Sequence, residues 1–381
     1  MIAVIATVYA PFVAARLTDD GAYWFVHVGR TTLEAAHSST ILTPALGWQS
    51  PVGYDGQYYF ALAVDPRHAK DYMPTGVAGF VYSRPVYPAV SGLLGLGSTS
   101  AVPWTMLLLN LIAVAAGTYA VAAWLRRRRV SAWFALLYGL FPGLFFCVFR
   151  DLTEPLAFGL VALAGLALDR ASRRAVPAGA VLLAVAALTR ETTLVFALVA
   201  ALAVARSGAT TLARGARAIL FMAVCTAPLL IWRLVVGAFV PGPTQERGDG
   251  LLSLVPFHGL GHYYPWDAEH WLIAGAVALP TIVTLLVAAY EHRPTLRLPH
   301  LLLGLNAAAF VVFLPAGVDV DYGAAGRAAT GVVLATIVCL GSWRPARLSP
   351  RVAAVVLVWS LAWYVVYAAA VGLPAFGLVT S

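Results

Sequence analysis

Three turns of this sequence place charged side chains directly beside long apolar segments. An ionised side chain near the hydrocarbon core of a bilayer costs about 2.5–3.5 kcal/mol on insertion scales, so such residues usually face the interior of a helix bundle and pair with one another. Each turn alone could be a loop with a local salt bridge. Together they could border one outward-facing cavity of mixed charge. The turns contain Arg150, Asp151 and Glu154; Arg190 and Glu191; and Asp319, Asp321 and Arg327.

A further acid, Asp55, lies in an aromatic segment with the sequence GYDGQYYF at residues 53–60. A carboxylate within hydrogen-bond reach of an acceptor hydroxyl can act as a general base. Tyr54 and the other aromatic rings of the segment could anchor it at the level of the lipid headgroups. The alternative is an ordinary turn aspartate, because Asp-Gly is one of the commonest turn signals. Residue type alone leaves both interpretations open.

Arg84 lies in the segment YSRPVYP at residues 82–88. Because a guanidinium group binds phosphate oxygens through two parallel hydrogen bonds, Arg84 is either a phosphate ligand or an anchor at the membrane interface.

His258 and His262 are four residues apart, but glycines between them disfavour a helix and no third ligand is evident. The sequence therefore predicts no metal site and no cofactor.

The composition indicates what positions these residues. The chain has 381 residues, is 61% hydrophobic and 11% charged, and has a mean hydropathy of +0.81. Such a chain belongs in a bilayer, where each apolar run of about 17–25 residues can cross once as a helix. We predict an all-α polytopic membrane protein with about eleven transmembrane helices, forming one transmembrane domain over residues 1–381. The predicted spans are 1–16, 103–125, 131–149, 152–168, 175–189, 192–205, 218–239, 271–290, 299–315, 326–343 and 352–372.

The arginines indicate the orientation of these spans. They cluster in five short loops, at 126–129, 170–174, 206–217, 293–297 and 344–351, and the positive-inside rule makes these loops cytoplasmic. The remaining connections, which hold most of the acids, then face outward, with the N-terminus inside and the C-terminus outside. The net charge of +8 comes from these short clusters and not from one basic face, so we predict no nucleic-acid partner.

The longest outer connection, about 17–102, contains the aromatic segment around Asp55. Two apolar stretches within it, Ala61–Val64 and Pro88–Leu96, are too short to cross the bilayer. They suit helices lying at the membrane interface. The fold prediction therefore includes a long extracytoplasmic first loop that carries interfacial helices.

The segment GYDGQYYFALA at residues 53–63, followed by Asp65-Pro66, resembles a motif of bacterial membrane proteins related to the lipid-linked mannosyltransferases. Arg84 with Tyr87-Pro88, and LTRE at residues 188–191, fit the same pattern. Together with the long first loop and the charged outer turns, these features resemble the GT-C class of membrane glycosyltransferases over about the first 200 residues. That class often carries a paired acidic motif in the first loop, whereas Asp55 has no adjacent acid.

The resemblance implies an enzyme of the bacterial plasma (inner) membrane, a multi-pass hexosyltransferase whose active site faces outside. It would transfer a sugar from a polyprenyl-phosphate donor to an acceptor glycan, lipid or protein, with inversion at the sugar. Asp55 would be the general base, and Arg84, Arg150 or Arg190 would hold the lipid phosphate. Glu154 and Glu191 would orient the arginines or bind sugar hydroxyls. The remaining members of the predicted substrate-binding set are Tyr54, Gln57 and Asp151.

Other functions remain possible from the sequence. A transporter or lipid flippase also has charge pairs in the membrane and spans interrupted by proline, such as Pro142, Pro228 and Pro280. Its charges are expected near the bilayer midplane, whereas here they gather at one face, and no inverted repeat is evident. An O-antigen ligase or polymerase has similar topology. A noncatalytic membrane scaffold leaves the long first loop and its acid unexplained.

Overall fold

The computed structural model describes ten parts of the chain: residues 1–17, 21–30, 32, 53–74, 76–169, 174–206, 210–240, 271, 298–312 and 326–342. Some of the sequence predictions lie outside these residues. They are the span at 352–372, the span at 271–290 apart from Trp271, the acids Asp319 and Asp321, and the histidines His258 and His262.

The elements of the described residues are helices, which confirms the all-α class for this part of the chain. Three single 3-10 turns, Ala69–Tyr72, Ala132–Ala135 and Glu191–Thr193, lie between them. In chain order the α-helices are α1 (Ile2–Leu17), α2 (Tyr23–Val26), α3 (Asp55–Val64), α4 (Val77–Tyr82), α5 (Val86–Leu94), α6 (Val102–Arg127), α7 (Leu136–Gly139), α8 (Pro142–Val148), α9 (Glu154–Leu168), α10 (Ala175–Thr189), α11 (Leu194–Ala205), α12 (Thr211–Phe239), α13 (Leu298–Val312) and α14 (Thr330–Ser342).

The bundle is organised around α6 and α9. Helix α9 packs against both α6 and α10, while α12 covers α10 and α11, and α13 packs against α14. Small residues at the α6–α9 crossing, Ala113, Gly117 and Gly159, let the two backbones approach closely, as is common between membrane helices. Near the start of the chain, α3 and α5 pack against each other and against α6.

Two of the described helices, α6 and α12, are long and apolar enough to cross a membrane. Helix α12 has 29 residues and exposes many apolar side chains, including Ile219, Leu220, Ile231 and Leu234. A contiguous apolar surface of this kind is unfavourable in water and is what a helix facing lipid presents. The count of about eleven spans stays a prediction.

The predicted span at 131–149 is wrong as a single helix. The structure divides it into the 3-10 turn at Ala132–Ala135, then α7, then α8. The last break falls at Phe141, whose backbone is extended, and Pro142, which begins α8. Proline is favoured at the first turn of a helix, where its missing N–H costs no hydrogen bond, so Pro142 starts a new helix here, whereas α12 continues through Pro228.

One of the two helices predicted to lie at the interface is placed differently. Helix α3 begins at Asp55, well before Ala61, and its residues 56–63 are all buried. A short helix that is apolar on all sides has to be packed on all sides, so α3 is a core element and not a surface helix. Helix α5 buries Tyr87 and Ser91 but exposes Ala89, Leu93 and Leu94, as well as the following Leu96, so its position at the interface stays a prediction.

Cysteine labelling tests the predicted orientation. The three native cysteines, Cys147, Cys225 and Cys339, are buried, so the background should be low. We expect Ser100→Cys, which is exposed before α6, to react with a membrane-impermeant maleimide in intact cells, and Arg129→Cys, which is exposed after α6, to react only after permeabilisation. The reverse pattern would invert the topology.

Candidate functional site

The N-terminus of α3 sets the position of Asp55. Tyr54 has an extended backbone, and Asp55 is the first residue of the helix. A Cβ added to Gly56 would lie only 2.1 Å from the carbonyl oxygen of Arg150, so the backbone of the Arg150 turn rests directly on the helix start. The Asp-Gly pair is therefore a helix start held against another segment, and not an isolated turn.

An ion-pair network extends from Asp55 across the bundle. Nη1 of Arg327 lies 2.6 Å from Oδ2 of Asp55 and donates a hydrogen bond to it. Nε of the same arginine lies 3.7 Å from Oε1 of Glu154, and Nη1 of Arg190 lies 2.7 Å from that oxygen. We call these four residues the Asp55 network. It joins the starts of α3 and α9 to the end of α10 and to the residues just before α14.

Arg327 is a member of this network that the predicted set of site residues does not include. It was grouped with a charged outer turn, but the stronger signal was an arginine inside a predicted apolar span, at 326–343. The packing of α8 helps to place it: a Cβ on Gly143 would lie 2.2 Å from the carbonyl oxygen of Gly326. The guanidinium group of Arg327 also lies 5.3 Å from the ring centre of Tyr54, within cation–π range.

A second ion pair, between Arg84 and Glu191, lies beside the network. Nε and Nη2 of Arg84 donate to the two carboxylate oxygens of Glu191 at 3.1 and 2.6 Å, and Nη1 donates to the hydroxyl of Tyr59 at 3.3 Å. The guanidinium group also stacks 3.8 Å above the ring of Phe80. Arg84 is only 2% exposed, so it is a buried clamp between α3, α4 and the turn after α10, and not an anchor at the headgroups.

The three carboxylates differ in their access to solvent. The side chain of Glu154 is fully buried, whereas those of Asp55 and Glu191 are 22% and 28% exposed. Both oxygens of Glu191 are bound by Arg84. Among the residues that the structure describes, Oδ2 of Asp55 is bound by Arg327, and Oδ1 accepts no hydrogen bond. Asp55 is thus the carboxylate best placed to reach a substrate.

The electrostatics keep both accessible acids ionised. Burial raises the pKa of Asp55, but the charge and hydrogen bond of Arg327, together with the charges of Arg84 and Arg190, outweigh burial and leave that pKa below its ordinary value. The pKa of Glu191 is likewise lowered, because Arg84 and Arg190 outweigh its burial. At neutral pH each group is therefore a carboxylate that can accept but not donate a hydrogen bond.

Arg150 lies at the edge of the site. Its guanidinium group is 5.5 Å from the ring centre of Trp24 and 5.6 Å from that of Phe146, and Phe146 in turn contacts the ring of Tyr54 at 5.2 Å. Burial, with a further contribution from the charge of Arg150, lowers the pKa of His27 to about 3, so this histidine is neutral. Arg150 and Tyr54 thus flank the Asp55 network through aromatic contacts.

Two predicted site residues point elsewhere. Gln57 is 2% exposed, and its Oε1 accepts a hydrogen bond from the backbone N–H of Gly29 at 2.8 Å, which ties α3 to the segment before it. Asp151 is completely buried, with a φ of 48°, and accepts a hydrogen bond from the hydroxyl of Tyr87 at 3.4 Å. It does not share a helical face with Glu154, because α9 begins only at Glu154.

The environment of Asp151 also differs from that of Asp55. Burial raises the pKa of Asp151 well above its ordinary value, although hydrogen bonds with Tyr87 and Asn110 act in the opposite direction. Asp55, by contrast, has Arg327 as a cationic partner, and its pKa is lowered. Asp151 is therefore a buried part of the turn that holds Arg150, and not a member of the Asp55 network.

Substitution of Gly56 tests the contact between α3 and the Arg150 turn. Gly56→Ala places a methyl group where the Arg150 carbonyl lies, so we expect the free energy of unfolding to fall by about 1–3 kcal/mol. Gly215→Ala in α12, where an added Cβ meets nothing within 4 Å, is the matched control and should not destabilise. Equal melting temperatures of the two variants would contradict the contact.

Acid should weaken the ion pairs. Since the pKa of Asp55 and that of Glu191 are lower in the folded protein than in the unfolded chain, their contribution to stability is present above the ordinary carboxyl range and is lost as the pH falls through and below it. We expect the melting temperature to drop between pH 6 and pH 3, and the drop to be smaller in Glu191→Gln. Asp71→Asn, an exposed acid outside these pairs, should keep the full drop.

Comparisons with known proteins give little beyond this geometry. No protein-family model matches the chain, and neither does any curated protein sequence. The crystal structure of ArnT from Cupriavidus metallidurans in the apo state is similar to this chain, with a TM-score of 0.47 and 15% sequence identity. The match covers 93% of this chain and 62% of ArnT, so the chain spans less than two thirds of that relative's length.

Proposed function

We propose that this chain is a membrane glycosyltransferase of the GT-C type, which transfers a hexosyl group from a polyprenyl-phosphate donor to an acceptor at the outer face of the plasma membrane. The observation that carries the proposal is the position of Asp55. It is a partly exposed, ionised carboxylate at a helix start, surrounded by Arg84, Arg190 and Arg327. A base beside a cluster of phosphate-binding groups is what such a reaction requires.

In this mechanism Asp55 accepts the proton of the acceptor hydroxyl. The hydroxyl oxygen forms a bond to the anomeric carbon of the donor, while the bond from that carbon to the phosphate oxygen breaks. The electron pair of the broken bond leaves with the polyprenyl phosphate. A single displacement of this kind inverts the configuration at the sugar. Oδ1 of Asp55 is the oxygen available for the proton, because Oδ2 is bound by Arg327.

The arginines differ in their capacity to hold the leaving phosphate. Arg84 already uses its donors on Glu191 and Tyr59, so it acts mainly as a clamp. Arg190 and Arg327 share Glu154, and each guanidinium group has N–H groups besides those that face a carboxylate. A phosphate that binds beside them would gain charge-assisted hydrogen bonds in a site screened from water, where such bonds are strongest.

Phosphate binding would also affect the base. Arg327 lowers the pKa of Asp55 in the unliganded site, and a weakly basic carboxylate is a poor proton acceptor. A phosphate that shares Arg327 would weaken this effect and raise the pKa of Asp55 toward the range in which it removes a proton efficiently. Donor binding would then precede activation of the acceptor.

The sugar, the acceptor and the single-domain organisation over residues 1–381 belong to the same proposal. The resemblance of residues 53–63 to the mannosyltransferase-related motif makes mannose the first sugar to test. Acceptors to be tried are glycans, lipids and proteins of the cell envelope. The bilayer itself is a partner, since the donor is lipid-linked.

Replacing Asp55, the proposed base, distinguishes a glycosyltransferase from a transporter. Asp55→Asn preserves the shape of the side chain but removes the proton acceptor, so we expect turnover to fall by roughly 10²- to 10⁴-fold while donor binding survives. The assay is sugar transfer from polyprenyl-phosphate donors by purified protein in lipid. Asp65→Asn, at the opposite end of α3, is the matched control and should retain activity.

Two outcomes would contradict the proposal. Near-normal transfer by Asp55→Asn would exclude its role as base. The absence of transfer from every donor tried, together with measurable substrate flux across the bilayer, would instead establish a transporter.

Lysine substitutions should distinguish the two arginine roles. Arg190→Lys keeps the charge beside Glu154 but loses the planar donor pair, so we expect donor affinity to fall about tenfold with little change in melting temperature. Arg84→Lys loses the two-point contact with Glu191, so we expect a lower melting temperature as its main effect. If Arg84→Lys instead weakens donor binding at unchanged stability, Arg84 is the phosphate ligand.

A further inference from the structure

A cavity of about 190 Å³ lies in the half of the bundle remote from the Asp55 network, lined by residues of α6, α9, α10, α11, α13 and α14. Helix α9 shows the separation: it begins at Glu154 in the network and lines the cavity with Val161, Gly165 and Leu168. Since a helix rises about 1.5 Å per residue, Gly165 is about 16 Å from Glu154 along the axis. The cavity is therefore distinct from the proposed active site.

The wall of this cavity is almost entirely apolar. Leucine, valine and alanine side chains make up most of it, together with the rings of Trp124 and Phe196. A cavity with such a lining does not hold ordered water, because water needs polar partners there. Leaving the space empty would destabilise the bundle. A hydrocarbon chain is the occupant that such a wall fits.

The rim of the cavity is basic. Nη1 of Arg127 donates to the carbonyl oxygen of Leu166, a lining residue, at 3.3 Å. The guanidinium group of Arg128 lies 5.3 Å from the ring centre of Trp124, another lining residue. Both arginines pair with Asp169, which is the residue after Leu168. Arg126 and Arg129 are exposed on the same turn, so the rim carries an excess of positive charge.

An apolar cavity with a cationic rim matches the chemistry of an anionic lipid. Basic pockets between transmembrane helices bind lipid phosphates, and positive charge near a bilayer surface attracts anionic headgroups. We propose that this cavity binds one acyl chain of an anionic phospholipid from the leaflet on the arginine side, with the lipid phosphate held by the arginines at 126–129. The lipid would stabilise the packing of α6, α9, α13 and α14 by filling the space between them.

This site does not depend on the glycosyltransferase proposal. The phosphate of a polyprenyl donor would lie at the Asp55 network, at the opposite end of α9, and could not occupy the arginine rim at the same time. Binding of a phospholipid at the rim can therefore be measured in protein whose transfer activity is unknown or abolished.

Native mass spectrometry of the purified full-length protein, titrated with lipid, provides the test. We expect phosphatidylglycerol to bind at one site about tenfold more tightly than phosphatidylcholine of the same chain length. Gly165→Leu should lower phosphatidylglycerol affinity about tenfold, because an added Cβ at Gly165 meets nothing within 4 Å and the side chain would fill the cavity. Gly215→Leu in α12, equally open but outside the cavity, should bind as the unaltered protein does.

A second variant removes the headgroup contacts without touching the core. Arg126→Gln combined with Arg129→Gln spares the arginines that pair with Asp169, and should reduce phosphatidylglycerol binding to the level of phosphatidylcholine. Equal affinity of the unaltered protein for both lipids would overturn the proposal, as would unchanged binding in Gly165→Leu. Displacement of the bound phosphatidylglycerol by polyprenyl phosphate in the Asp55→Asn protein would assign the cavity to the donor chain instead.

Discussion

The arrangement of this protein depends on one constraint: charges inside an apolar bundle must be paired. Arg327 satisfies it by lying between Asp55 and Glu154, and Arg190 satisfies it by sharing Glu154. Removing one partner of such a buried pair is strongly destabilising, because the other charge stays desolvated and uncompensated. The network therefore fixes how four separate segments of the chain meet, and the proposed catalytic carboxylate lies at its accessible end.

Pairing alone does not produce a reactive site. Glu154 is paired and inaccessible, Glu191 is paired through both oxygens, and Asp151 is buried and hydrogen-bonded to Tyr87. Asp55 differs because it combines a cationic partner with partial exposure and an oxygen that accepts no hydrogen bond within the described residues. Neighbouring carboxylates in one protein thus acquire different chemistry from their surroundings, as is common where acid–base function is at work.

The balance of charge differs between the end of the bundle at the Asp55 network and the end at residues 126–129. At one end, three arginines pair with three acids, so the charges nearly balance. At the other end, the arginines at 126–129 outnumber the nearby Asp169, which favours permanent contact with an anionic membrane surface. Helix α9 connects the two ends. A lipid bound against its C-terminal half would therefore also restrict the movement of Glu154 at its N-terminus.

The sequence by itself determined the helical class, the concentration of arginine in a few loops and the identity of most charged residues around Asp55. Composition and periodicity suffice for these features because the bilayer permits few alternatives. Pro142, one of the prolines that interrupt the predicted spans, marks the break at 131–149, because proline is favoured at the first turn of a helix.

Only the tertiary structure decided which charge pairs with which. The ion pair between Asp55 and Arg327 joins residues that are 272 positions apart in the sequence, and no local pattern encodes such a contact. The same holds for Asp151, which by spacing could have shared a face with Glu154 but lies instead in a turn against Tyr87. Local sequence sets what a side chain can do, whereas packing across the bundle sets its burial and its partner, and these determine its charge state and its role.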